Sequence, residues 1–246
     1  MGLKAAPEDQ ALLLELQELD TRLQQLDHKL RNLPETARLA ELAAEAETLR
    51  RDLVERTGAL EDAQAELGRV EADVKVVEAR MERDRERLQA TSSVKDVQAL
   101  EQELAALARR RDELEEIELV VMEKVEELES GVDAAREALS AIDARVAETT
   151  ASRDAGAASL EQEKAHVAKD RATIAARVPD DLLALYEKQR ARYGVGASHL
   201  RGGVSSASGV VLNATDLDVV RAAAPDDVLL CPESSAILVR TAESGL

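Results

Sequence analysis

The sequence predicts a mostly α protein: a long antiparallel coiled-coil hairpin with a kinked first arm, followed by a small β-rich C-terminal domain. Three observations carry this reading. Charged residues make up 33% of the 246 positions and aromatic residues 1%, with no Trp or Phe, so bulk for a thick globular core is missing. Leucine and its apolar substitutes recur in steps of three and four as far as about residue 178, the period of a coiled-coil seam. Around a polar turn near residues 91–94, seam positions pair with numbers that add to a near-constant sum, as an antiparallel fold-back requires.

The first helix opens at Pro7-Glu8-Asp9, where a missing N–H costs nothing and acids meet the positive end of the helix dipole. Leu12, Leu16, Leu19, Leu23, Leu26, Leu30 and Leu33 form its seam, and Leu13 and Leu14 widen the stripe, which implies more than one packed neighbour. Asn32-Leu33-Pro34-Glu35 then interrupts it, because proline removes a backbone donor and disfavours helical geometry at Leu33. From Leu39 the seam resumes through Leu42, Ala46, Leu49, Leu53, Leu60, Ala63, Leu67 and Met81 to Leu88, with Arg56 and Asp84 as its polar members. Gly58 and Gly68 each cost about 1 kcal/mol relative to Ala, which so long a pattern absorbs.

Thr91-Ser92-Ser93 stops this helix, and Ser93 with Asp96 resembles a capping box with Asp in the usual Glu position. The third helix follows with the seam Val97, Leu100, Leu104, Leu107, Arg111, Leu114, Glu118, Val121, Val125, Leu128, Val132, Ala135, Leu139, Ile142 and Val146. Leu88 then falls opposite Val97, Met81 opposite Leu104, Leu60 opposite Val125 and Leu39 opposite Val146. The same ladder sets Pro34 and its neighbours against about Thr149 to Arg153, and the third helix loses its apolar seam there, over Thr149 to Gly156, so both arms are expected to weaken together. Beyond that point a small-residue face (Ala158, Ala165, Ala168, Ala172, Ala175) is the expected seat for the first helix.

Three regions result: the hairpin over residues 7–178, a short helix and linker over 179–194, and a β-rich tail over 195–246. Pro179-Asp180-Asp181 opens the short helix, with Leu182, Leu183, Leu185 and Tyr186 apolar before Gly194. In the tail, Val210 to Leu212, Asp227 to Cys231 and Ala236 to Arg240 read as strands, and Thr215 as the cap of a helix to about Ala223. About fifty residues without aromatics are marginal as an independent fold, so docking on the hairpin is expected to support them.

Charge and cysteine content restrict function. A net charge of -18 repels nucleic-acid phosphates and anionic lipid, and no basic patch offsets it. Cys231 is the single cysteine, which fits a reducing compartment. No apolar run is long enough to span a bilayer, and Met1 to Gln10 lack a secretory pattern, so a soluble cytoplasmic protein is expected.

Several segments carry a family resemblance: Pro7 to Gln10 with its leucine helix, the turn Thr91 to Glu101, Pro179 to Tyr186, Leu212 to Leu217, and Ile237 to Thr241. With these the chain resembles a bacterial family built of an N-terminal coiled-coil hairpin and a C-terminal zinc ribbon with four cysteines. The resemblance implies zinc bound by two Cys-x-x-Cys knuckles. Here those positions fall on Ser205, Ser208, Cys231 and Ser234. Structural zinc requires four good donors, and serine hydroxyls are poor ones, so the expectation is a degenerate, metal-free ribbon with no cofactor. His199 is read as an exposed linker histidine and Cys231 as a small strand residue.

Members of the resembled family are mostly uncharacterised, with some linked to flagellar or secretion-system regulation through protein partners. The expected function is therefore a non-enzymatic scaffold or regulatory adaptor for protein partners, with a homo-oligomer also open. Candidate contacts are Lys95 and Asp96 at the turn and Leu12 and Leu16 on the first helix, against the plainer reading of capping and core. The alternative is a nucleic-acid-binding regulator of zinc-ribbon type, disfavoured by acidity, absent stacking aromatics and the lost knuckles. Arg56, Arg111 and Glu118 are read as register devices rather than as parts of an enzyme site, because no acid, base and nucleophile cluster accompanies them.

Overall fold

The computed structural model describes residues 2–246. Its helices are α1 (Pro7–Arg31), α2 (Pro34–Ala90), α3 (Val94–Ala175), α4 (Asp180–Tyr193) and α5 (Ala214–Ala222). Four short strands, β1 (Ala197–Arg201), β2 (Val204–Ser205), β3 (Leu229–Leu230) and β4 (Ile237–Val239), complete the described fold with a terminal 3-10 turn at Ala242–Ser244. The chain divides into two compact units, one of residues 35–151 and one of residues 2–34 with 152–246.

The first of these, the arm unit, is the coiled-coil hairpin. Its seam is shielded along both helices, with Leu42, Ala46, Ala63 and Met81 buried on α2 and Leu100, Leu114, Val121, Val125, Val132, Ala135 and Ile142 on α3. The antiparallel register shows in side chains that reach across: Lys124 to Glu66 at 3.1 Å, Arg145 to Glu45 at 3.7 Å, Arg50 to Asp143 at 3.7 Å, and Arg80 to Glu103. All four pairs are solvent-exposed and contribute at most about 1 kcal/mol each. The polar seam residues are accommodated individually. Arg56 ion-pairs with Asp52 on its own helix, and its guanidinium lies over Gly131, where a Cβ would come within 3.1 Å. Asp84 is buried, with Arg87 at 3.2 Å from one of its oxygens.

Between Arg31 and Pro34 the first arm breaks, and Asn32 closes the end of α1 by donating its backbone and side-chain amides to the carbonyl of His28. The third helix does not break opposite it. α3 runs continuously through Thr149 to Gly156, although no residue of that stretch is buried. Loss of apolar seam residues leaves the backbone ladder intact when no proline removes a donor. Leu33 packs near Gly156 across the gap.

The tail unit is built on a mixed sheet of order β2-β1-β4-β3, in which β1 and β4 are parallel and the outer pairs antiparallel. Side chains alternate along β4. Ile237 and Val239 face a core made with Leu13 and Leu16 of α1, Val178, and Leu182 and Tyr186 of α4. Leu238 faces the opposite way into a second core with Leu200, Leu212, Val220 and Cys231, roofed by α5. The segment before α1 joins as well: Ala5 N–H donates to the Asp226 carbonyl and Val228 N–H to the Leu3 carbonyl, while Lys4 ion-pairs with Asp226 and Asp227.

Several expectations are corrected in this unit. The central strand β1 lies at the start of the tail in a stretch not among the expected strands, and Val210 to Leu212 forms only an isolated bridge from Val211 to Val204. α5 is capped by Asn213, whose side chain accepts from the Asp216 N–H, and not by Thr215. Its other end is held by Arg240, whose guanidinium donates to the carbonyls of Val220, Ala223, Ala224, Pro225 and Asp227. One cation thus satisfies carbonyls that a helix C-terminus leaves without partners.

Candidate functional site

Burial decides the fate of the two leucine candidates. Leu16 is 0% exposed and Leu12 is half-buried against the same core, so both serve the internal packing of the tail unit. Leu16 is thereby withdrawn as a partner contact: a side chain with no accessible surface cannot meet a partner without unfolding its own neighbours. At the turn, Lys95 and Asp96 are exposed, and the Ser93 hydroxyl accepts from the Asp96 N–H at 3.5 Å. The reciprocal half of the capping box is replaced, since the Ser93 N–H donates to Thr91 Oγ1 at 3.3 Å.

The tail unit holds a buried polar cluster that links four elements. Asp20 on α1 is 0% exposed. Its carboxylate accepts from Arg171 Nε at 2.7 Å on α3, from Arg190 Nη2 at 3.0 Å on α4, and from the Tyr186 hydroxyl at 2.7 Å. Glu187 bridges the same two arginines from the other side. One turn earlier on α1, Gln17 Oε1 accepts from the Gly196 N–H at 2.7 Å and the Ala197 N–H at 3.3 Å, fixing the entry to β1. Gly196 is required there, because a Cβ would stand 2.5 Å from the Tyr186 ring. Burial and the bond to Asp20 push the Tyr186 hydroxyl well above the ordinary phenol range. The bond to Asp20 raises Arg171 against the opposing effect of burial, with Glu187 adding to the rise.

Beside this cluster lies an open groove of about 990 Å³ within the tail unit. Leu14, Leu19 and Ile174 line it with apolar surface, while Glu15, Glu18 and Asp170 supply acidic groups. His199 closes one side. It sits in β1 with its ring nitrogen Nε2 2.7 Å from Thr241 Oγ1, so it is a half-buried strand residue and not an exposed linker histidine.

The four positions assigned to zinc ligands form two loops with one bonding pattern. In the first, the Gly209 N–H donates to the Ser205 carbonyl and the Val210 N–H to Ser208 Oγ. In the second, the Ser235 N–H donates to the Cys231 carbonyl and the Ala236 N–H to Ser234 Oγ. Gly209 and Ser235 occupy equivalent positions and both take positive φ, 70° and 59°. Burial pushes the Cys231 thiol up, while the neighbouring Ser205 and Ser234 hydroxyls and the Ser234 and Glu233 amides pull it net below its ordinary range. Ser205 Oγ also lies 2.7 Å from Ser198 Oγ. The donor set of one thiol and three hydroxyls does not fit tetrahedral zinc, and the described residues hold no group of three or more His, Cys, Asp or Glu side chains placed for a metal.

A helical hairpin joined to a small mixed sheet defines the class of protein. Residues 16–194 match the CT398-like coiled coil hairpin domain, and the chain belongs to that family. It is 33% identical to uncharacterized protein Rv2229c of Mycobacterium tuberculosis strain H37Rv over 239 residues, covering 97% of this chain and 98% of the relative. A solved structure from Mycobacterium smegmatis is 36% identical, with a TM-score of 0.84 over 97% of this chain and all of its own. CT398 from Chlamydia trachomatis shares the fold at 19% identity, with a TM-score of 0.62 over 95% of this chain and 98% of its own.

The sequence did not disclose the Asp20 cluster or the groove. A faint signal exists: Leu13 and Asp20 are seven residues apart, on the helical line where Leu13 already widened the seam.

Proposed function

We propose that the chain is a non-enzymatic scaffold or regulatory adaptor for protein partners, and that its tail is a metal-free descendant of a two-knuckle zinc ribbon. The observation that carries the first part is the groove: Leu14, Leu19 and Ile174 give it an apolar lining, and acids border it. Such a surface suits a protein segment, while its charge and the net -18 of the chain disfavour phosphate backbones and anionic lipid. The paired loop geometry supports the second part, because the two loops keep matching hydrogen bonds around hydroxyls. A cytoplasmic location agrees with the unpaired Cys231 and with the lack of any described helix long and apolar enough to cross a membrane.

The test is crosslinked affinity purification of the tagged full chain from its source cells, compared with a Glu15→Lys, Glu18→Lys variant whose helix content and melting are matched. Proteins recovered with the wild type and lost with the variant support the adaptor reading. Unchanged recovery removes the groove as the contact, and retardation of nucleic acid at low salt would favour the alternative regulator.

A further inference from the structure

The arm unit carries an apolar patch that its own packing does not use. Along α3, Ile117, Leu119, Val120 and Met122 are 44%, 61%, 65% and 42% exposed within six consecutive positions. The seam of the hairpin at this level is Glu118 and Val121, which places Leu119 and Val120 on the two outer flanks of the helix and Ile117 and Met122 nearer the seam. The exposures follow that geometry. Val54, Val76 and Val94 are also exposed, but each stands alone, which is ordinary for a surface.

Acids surround the patch. Glu116 and Glu123 sit on the outermost line of the helix, about 5 Å along the axis to either side of its centre. Glu126 and Glu127 follow one turn later. These four have no ion-pair or hydrogen-bond partner among the described residues, whereas nearby Glu113 and Glu115 are engaged by Arg110 and Arg111. Their charge is therefore available to a partner.

That arrangement selects among occupants. A second copy docked on the same patch about a two-fold axis sets Glu116 against Glu123 if antiparallel, and each against its own counterpart if parallel. Like charges meet either way. Anionic lipid and nucleic acid meet the same repulsion. A helix with an apolar stripe flanked by lysine or arginine satisfies both parts of the surface, apolar anchors on Leu119 and Val120 and cations on the glutamates.

We propose that the Ile117–Met122 face of α3 is a docking surface for a basic amphipathic helix of a partner protein. It rests on the adaptor reading for its biological sense, and it uses a surface distinct from the groove of the tail unit.

The experiment measures fluorescence anisotropy of the full chain with labelled synthetic peptides of about 18 residues, long enough for a helix on docking. One has leucines at helical spacing with lysines elsewhere, one replaces the lysines by glutamates, and one shuffles the first to destroy its stripe. The expected result is binding of the first alone, weakened at least about tenfold by Leu119→Ser with Val120→Ser and about tenfold by Glu116→Lys with Glu123→Lys. The control pair Val54→Ser with Val76→Ser leaves it unchanged. Equal affinity for the double-serine variant, or equal binding of the glutamate or shuffled peptide, overturns the proposal. A dimer in sedimentation that the double-serine variant dissociates overturns it in favour of self-association. If the peptide does not bind while the groove-dependent partners are still recovered, the docking surface fails and the adaptor reading stands.

Discussion

The arm unit and the tail unit use charge in opposite ways. In the arms, most acids and bases lie outside the seam, with Asp84 a buried exception, and the ion pairs that cross from α2 to α3 remain half-exposed, as in Lys124 with Glu66. In the tail unit, one carboxylate on α1 with no exposed surface gathers two arginines and a tyrosine from two other helices, α3 and α4. The contrast teaches which contacts are replaceable. A repeated seam spreads stability over many equivalent layers, whereas a buried polar cluster concentrates it where every member must be present.

The largest effect is therefore expected at Asp20. Asp20→Ala leaves Arg171 and Arg190 with only the more exposed Glu187 between them and the Tyr186 hydroxyl without its buried acceptor, and is expected to cost about 3–5 kcal/mol in urea unfolding monitored by circular dichroism. Leu16→Ala in the adjoining core follows at about 2–5 kcal/mol, while Leu53→Ala in the half-exposed seam costs clearly less. Equal costs at Leu16 and Leu53 would erase the contrast. Gly196→Ala forces a methyl into the Tyr186 ring and is expected to cost about 1–3 kcal/mol, most of it recovered when Tyr186→Leu is added.

Alkaline pH sharpens the same comparison. The Tyr186 hydroxyl is raised above its ordinary value of 10.0 in the folded state, so the folded chain keeps a proton that the unfolded chain releases. Its contribution is complete below pH 10 and declines as pH rises above it toward the folded value. Tyr186→Phe removes that slope from stability measured between pH 9 and pH 11, referred to the same scan of an arm variant such as Leu53→Ala. A slope identical in wild type and Tyr186→Phe would assign it to other groups. The smallest effect is expected for Lys124→Met, at most about 1 kcal/mol and vanishing in 1 M salt.

Legibility in the sequence follows the same division. The seam could be read because each layer repeats a local rule, and the break at Pro34 because proline acts on its own neighbours. Asp20 could not, since one acid among many on a charged helix looks solvated until Arg171 and Arg190 arrive from far along the chain. The strand β1 was hidden for a related reason. Ala197-Ser198-His199-Leu200-Arg201 has no β-branched residue, and its conformation comes from pairing with β4 and from Gln17 holding its first amides. The four positions that the family resemblance assigns to zinc ligands, Ser205, Ser208, Cys231 and Ser234, could be picked out individually, but the matched hydrogen bonds of their loops required the fold.

The central claim is that the tail unit is held by α1 and the Asp20 cluster without a metal. The most direct measurement is elemental analysis of the purified full chain together with amide hydrogen exchange of β1 and β4 before and after treatment with a chelator. The account predicts substoichiometric zinc and unchanged protection of Ala197 to Leu200 and Ile237 to Val239 in the chelated protein. One zinc per chain, with protection of those strands lost on chelation, would contradict it.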